Sequence, residues 1–295
     1  MPTLLVTGAA GLCGREIVNH FRRLDDWEVI GCGRRSGGRA PFLQHDLTGE
    51  LPVGPGGFPP NIDAIVHAAA VIEEGATSYG IIDSNLRGAF NVARYAAAAG
   101  AKSFINLSSV AVYGSPRCDA IYVETREARP VTLYGLSKLL AESLLSALLP
   151  PLPLCHLRLS YVLGRGMKPY VVTNRLHDQL RRDEDVVIDN PDTSRIPFID
   201  TRDIAKACEK AIEHRVEGTC NLNGTPPGST PPTLREIFEA IREVVPDSRS
   251  QIELRDWPAN AVQAVYPSEL LEQKLPGLDF TGFRESIRFA LEQRE

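Results

Sequence analysis

The stretch that most narrows the folds open to this 295-residue chain lies at its start. Thr3-Leu4-Leu5-Val6-Thr7 is a short apolar run suited to a buried parallel strand. It runs into Gly8-Ala9-Ala10-Gly11-Leu12-Cys13-Gly14, and a helical pattern follows at Ile17, Val18, Phe21 and Leu24. Strand, glycine turn and helix, in that order, give a glycine motif its meaning. The turn lets backbone approach a pyrophosphate, and the helix N-terminus offers unpaired N–H groups and the positive end of its dipole. Gly8, Gly11 and Gly14, spaced Gly-x-x-Gly-x-x-Gly, are therefore read as the floor of a dinucleotide site.

Strand-like runs recur at 28–33, 42–47, 63–70, 102–109 and 155–163, with helical stretches between several of them. This alternation predicts an α/β protein with a doubly wound parallel sheet, whose ligands gather at the C-terminal strand ends. The second run ends in Arg34-Arg35, where an NAD enzyme places a carboxylate for the ribose hydroxyls. Guanidinium groups match a phosphate bidentately, so NADP(H) is the expected cofactor, with NAD(H) as the alternative. Asp46, closing the third run, is placed to accept from the adenine amino group. Ala68-Ala69-Ala70, closing the fourth, are small enough to let a cofactor pass close over the strand end. His67 is read as a packed strand-end residue. The Gly- and Pro-rich segment 49–60 is a connector.

Tyr134 and Lys138 stand four apart at the head of an apolar helical run, so they share one helix face. An ammonium beside a phenol favours the phenolate and lowers a pKa that is otherwise about 10. Such a pair moves a proton to or from a substrate oxygen.

After Gly164 the alternation becomes irregular. Helices are expected over 170–182, 201–214 and 234–245, short strands over 186–189, 197–200 and 219–222, and a mostly helical tail from Pro267. Two lobes follow: 1–164 plus 199–222 for the dinucleotide, and a smaller, mostly helical substrate lobe from 165–198 plus 223–295. The net charge of −5 gives no reason to expect nucleic acid or anionic lipid as a partner. No apolar run is long enough to span a bilayer. A first strand at Thr3 is expected to leave no room for a signal peptide. The six scattered cysteines (Cys13, Cys32, Cys118, Cys155, Cys208 and Cys220) read as reduced thiols of a cytoplasmic protein, not as a disulfide or zinc framework.

Several further segments complete a pattern: Asp46-Leu47, His67 to Ala70, Asn85 with Gly88 and Asn91, Ser108-Ser109-Val110-Ala111-Val112-Tyr113-Gly114, Tyr134-Gly135-Leu136-Ser137-Lys138, Leu157-Arg158 and Asp203-Ile204-Ala205. With the glycine turn, they make the chain resemble the extended short-chain dehydrogenase/reductases, the NAD-dependent epimerase/dehydratase family, over nearly its whole length. The resemblance implies a Rossmann-like domain in which Tyr134 is the acid/base. Lys138 holds the nicotinamide ribose and depresses the tyrosine pKa. Ser109 hydrogen-bonds the reacting oxygen, with Ser108 as its neighbour. It also implies cofactor contacts at Leu12 and Leu47, a bracing role for Asn85, and a homodimer through the helices at 86–99 and 134–149.

Departures from the family pattern narrow the activity. The Asp-Glu pair of sugar-nucleotide dehydratases is replaced by Val110 and Ala111. The Asn expected after the strand-six arginine is Tyr161. The phosphate-binding Arg position is Ile196, with Arg195 one step earlier. The expectation is an NADP(H)-dependent ketoreductase or epimerase acting on a secondary alcohol or ketone of a small sugar-like substrate, with or without a nucleotide diphosphate. Glu124, Thr132, Tyr161, Tyr170 and Arg195 are candidate substrate contacts. The alternatives are a reductase of a free small ketone or cyclitol and a non-catalytic NADP-sensing binding protein.

Overall fold

The computed structural model describes the chain apart from residues 36–40, 73–76, 116–119, 169–170, 227, 258–263, 268 and 292–295. Tyr170 and Cys118 therefore lie outside the described residues. The strands are β1 (Thr3–Thr7), β2 (Glu28–Gly33), β3 (Phe42–Gln44), β4 (Ala64–His67), β5 (Ser103–Ser109), β6 (Leu154–Leu159), β7 (Tyr161–Leu163), β8 (Val186–Asp189), β9 (Phe198–Asp200), β10 (Gly218–Leu222) and β11 (Ile252–Arg255). Seven of them form one parallel sheet in the order β10-β6-β5-β4-β1-β2-β3.

The chain steps outward from β1 to β3, returns to lay β4 on the other side of β1, and continues outward through β5, β6 and β10. The reversal falls between β1 and β4, where such sheets leave a crevice beyond the strand ends. These two strands end level, Thr7 opposite His67. The Thr7 hydroxyl meets His67 Nδ1 at 2.8 Å.

Helices cover both faces, which is why the strands read as unbroken apolar runs. On one face α1 (Leu12–Leu24) and α6 (Thr201–Glu213) bury Ile17, Phe21, Ile204 and Cys208. On the other, α3 (Gly88–Ala98) and α4 (Leu133–Leu148) bury Val92, Ala96 and Leu145. A separate core gathers Leu176 and Leu180 of α5 (Val172–Arg181), Ile237 and Ile241 of α7 (Leu234–Val244), and Ile287 of α9 (Phe283–Leu291). Thr233 and Glu236 start α7 with a reciprocal capping box.

Three local departures from the sequence reading have physical causes. The helix expected over 86–99 begins earlier, as α2 (Ser78–Ile82), and passes through a π-helical turn at Asp83–Arg87 before α3. The run 155–163 breaks at Ser160, whose N–H donates to Leu222 O at 3.1 Å, and Tyr161–Leu163 leaves to pair with β9. The third strand stops at Gln44 because the Asp46 carboxylate accepts from Thr48 N at 3.0 Å and closes a turn. No helix among the described residues is long and apolar enough to cross a membrane.

Candidate active site

A cleft of about 640 Å³ opens above the reversal point. It is lined by Gly8, Gly11, Arg34, Arg35, Asp46, Leu47 and Ala68 to Ala70, nine of the residues expected from sequence to meet a cofactor, together with Lys168. Gly8 has φ +66°, and a Cβ there would stand 2.7 Å from Ala69 Cα. A Cβ at Gly14 would run into Gly8 O. Only glycine lets the turn, the α1 N-terminus and the β4 end close up in this way. Gly11 caps α1 without a side-chain hydrogen bond, and the first turn of α1 carries no acid. This leaves backbone donors and a positive dipole end facing the cleft, the arrangement a pyrophosphate needs. Arg34 and Arg35 stand exposed beyond β2. A nicotinamide dinucleotide therefore fits these residues. Leu12 lies to the side, packed against the third core, and Gly14, Asn85, Ser108 and Lys138, also expected to meet the cofactor, do not line the cleft.

Tyr134 and Lys138 sit in the first two turns of α4, where the Thr132 hydroxyl accepts from Gly135 N at 3.0 Å and starts the helix. A Cβ on Gly135 would strike Ala111 O, so this glycine lets α4 begin directly against the turn after β5. That turn is a 3₁₀ helix, Val110–Tyr113, capped by Ser109, whose Oγ accepts from Ala111 N at 3.1 Å. The two caps bring the Ser109 and Tyr134 hydroxyls into hydrogen-bonding contact. Lys138 Nζ donates to Leu107 O at 2.7 Å and stands 5.9 Å from the Tyr134 ring centroid.

The electrostatics differ from the sequence expectation. Burial pushes the Tyr134 phenol up to about 12, with the Ser109 hydrogen bond opposing it and Cys13 adding to the rise. Desolvation outweighs the help expected of Lys138, so the tyrosine is held in its protonated form. Burial brings the Lys138 ammonium down to about 8, against the pull of Cys13 and Glu142. Cys13, in the first turn of α1, thus acts electrostatically on both groups, and its own thiol is pushed by burial up to about 12. His67, buried beside Thr7, is driven down to about 3 by desolvation and stays neutral.

Beneath this pair lies a buried polar chain that the sequence reading missed. Glu142 accepts from Arg158 Nε at 3.0 Å and Nη2 at 2.7 Å, and also from Ser108 Oγ. Arg158 Nη1 donates to Tyr113 OH at 2.9 Å, and Tyr113 OH donates to Asn221 Oδ1 at 2.7 Å. Ser108 is thus committed to the strand–helix joint, whereas Ser109 faces Tyr134. One signal was available: Glu142 follows Tyr134 and Lys138 at the next i+4 step on the same helix face. Asn85, in the π turn, accepts from Val71 N at 2.7 Å and donates to Ser137 Oγ at 2.9 Å. It ties the loop after β4 to the helix of Tyr134.

The candidate substrate contacts are dispersed. Glu124 Oε1 accepts from Asn221 N at 2.8 Å and braces β10. Tyr161 stacks edge-on against Phe198 at 5.2 Å, and Arg195 Nη1 donates to Pro231 O at 2.7 Å. Thr132 is occupied as the α4 cap.

Comparisons with known proteins agree with this architecture. The model of the NAD dependent epimerase/dehydratase family matches residues 4–223. Methionine adenosyltransferase 2 subunit beta of Danio rerio is 32% identical over 146 residues, covering 47% of this chain and 42% of that protein. A Sinorhizobium fredii protein, y4nG, is 28% identical over 146 residues, covering 49% of this chain and 35% of its own length. The chain thus spans under half the length of the curated relatives it matches. Among solved structures, UDP-glucuronic acid 4-epimerase from Bacillus cereus in complex with NAD superposes with TM-score 0.81 at 17% identity, covering 98% of this chain and 97% of that one. MoeE5 in complex with UDP-glucose and NAD superposes with TM-score 0.78 at 23% identity, covering 98% and 97%. At these identities the likeness shows the fold.

Proposed function

Because the chain belongs to the NAD dependent epimerase/dehydratase family, we propose that it is an NADP(H)-dependent oxidoreductase working on a secondary alcohol or ketone carbon of a sugar-like substrate. One adjacency carries the reading: the Ser109 and Tyr134 hydroxyls meet, with Lys138 on the same helix face. A nicotinamide dinucleotide, when bound, supplies or accepts the hydride. The chain's own groups handle the proton. Tyr134, held protonated, donates to the oxygen of a carbonyl as negative charge grows there. Ser109 Oγ accepts from Ala111 N and its hydroxyl meets that of Tyr134, so a substrate oxygen entering between them can take the Ser109 hydrogen in place of the phenol. The Lys138 ammonium, anchored on Leu107 O, keeps a positive charge near the phenolate left behind. Gly8, Gly11 and the α1 N-terminus hold the pyrophosphate, and Arg34 and Arg35 take the 2′-phosphate. The exposed apolar side chains Phe90, Leu136 and Leu140 on α3 and α4 support a homodimer through these helices.

A second reading, an NAD-linked epimerase of nucleotide sugars, is favoured by the solved proteins of like fold, which hold NAD and in one case UDP-glucose. The test is a turnover assay that follows NADPH absorbance together with product. Stoichiometric loss of NADPH on a keto-sugar supports the reductase. Product without net loss supports the epimerase, and failure to bind either dinucleotide defeats both.

A further inference from the structure

Lys168 lines the dinucleotide cleft yet belongs to the loop between β7 and α5, outside the glycine turn. The loop is pinned from three sides. Asn174 Nδ2, fully buried in α5, donates to Met167 O and Lys168 O, both at 2.9 Å. Arg15, in the second turn of α1, donates to Arg165 O. The Arg165 guanidinium lies 4.3 Å over the Phe289 ring of α9. The backbone under Lys168 is therefore fixed, and its anchor on Arg15 lies directly behind the α1 N-terminus. The side chain itself is exposed, and among the described residues no carboxylate pairs with it within 4.0 Å. Asp46, the one acid among the described residues of the cleft wall, is held by Thr48, whose N–H it accepts at 3.0 Å.

We propose that Lys168 is a cofactor clamp: its ammonium reaches across the cleft and pairs with the dinucleotide pyrophosphate, opposite the backbone donors of the α1 N-terminus. This rests on the dinucleotide reading above and adds to it a cation from outside the glycine motif. The division of labour is specific. Lys168 serves the pyrophosphate, which NADPH and NADH share, while Arg34 and Arg35 serve the 2′-phosphate, which only NADPH carries. A partly solvated ammonium–phosphate contact is screened by salt. Its loss corresponds to about five- to tenfold in affinity at low ionic strength.

The test is a fluorescence titration of the full chain with NADPH and with NADH at low and high salt. It compares the native protein with Lys168→Ala, Lys168→Arg and Arg34→Ala. The expected result is that Lys168→Ala weakens both dinucleotides by the same about five- to tenfold factor. Lys168→Arg restores the affinity, the deficit shrinks at high salt, and Arg34→Ala weakens NADPH alone. Lys168→Ala affinities within twofold of the native values for both ligands would overturn the proposal. So would a deficit confined to NADPH, which would put Lys168 on the 2′-phosphate. If the native chain binds neither dinucleotide, the underlying function fails, and that outcome is visible before any variant is compared.

Discussion

Changing Glu142 to Gln is a sharp physical test of how α4 is held against the sheet. The carboxylate and the Arg158 guanidinium are 7% and 8% exposed. Arg158 gives two hydrogen bonds to the carboxylate and a third to Tyr113 OH. Glutamine keeps the shape and one acceptor oxygen but removes the charge, leaving a buried guanidinium without its counter-ion. Breaking a buried pair in this way costs about 3–5 kcal/mol. Replacing both partners, as Glu142→Leu with Arg158→Met, removes both charges at similar volume. It leaves the Ser108 hydroxyl without Glu142, while Tyr113 keeps Asn221. An unsatisfied hydroxyl costs about 1–3 kcal/mol, so the double variant should be more stable than Glu142→Gln. Urea denaturation followed by circular dichroism, run on Glu142→Gln and on the double-mutant cycle of Glu142→Leu, Arg158→Met and the two together, measures these differences. A Glu142→Gln loss under about 1 kcal/mol, or a cycle in which the single effects simply add, would refute the reasoning.

Acid should destabilise the fold before any carboxylate titrates. His67 and His156 are buried and depressed by desolvation to about 3 and about 4. The unfolded chain therefore binds more protons below its histidine pKa of about 6.5, and stability falls as pH drops through the window from there to the folded values. At pH 5 each histidine accounts for about 2 kcal/mol of lost stability; melts from pH 7 to 5 should show the loss, and His67→Asn should remove about half of it. Removing both guanidinium groups, Arg34→Ala with Arg35→Ala, should cost NADPH affinity about 10- to 100-fold while leaving NADH nearly unchanged, as read by parallel titrations. Equal losses for both dinucleotides would place these arginines elsewhere than on the 2′-phosphate.

Much of the sheet and of the cleft lining was legible because the signals are local. Strand 3–7, the glycines at 8, 11 and 14, and the small residues at 68–70 each declare themselves within a few positions. The Thr132 cap and the Tyr134–Lys138 spacing are similarly short-range. What stayed hidden depends on partners far away in sequence. Glu142 reads as a polar interruption of a leucine-rich run until Arg158 is folded beside it. Lys168 reads as a loop lysine until the cleft closes around it. The tyrosine's raised pKa is invisible to an argument from its lysine neighbour, because burial is a property of the whole fold. Asn85 needed the π turn to face both Val71 and Ser137 at once. The β11 strand was missed because Glu253, Leu254 and Arg255 are exposed and Ile252 alone packs against a core, too short a signal to mark a strand.

The account stands on Tyr134 as the proton donor of a nicotinamide-linked reaction. The most direct measurement compares the native chain with Tyr134→Phe on NADPH and a panel of keto-sugars, free and nucleotide-linked, recording turnover and NADPH affinity together. The account predicts that a sugar consumed by the native chain is turned over at least about 100-fold more slowly by Tyr134→Phe, the scale of a lost general acid, with NADPH affinity unchanged. A Tyr134→Phe variant that turns the sugar over at the native rate would contradict it.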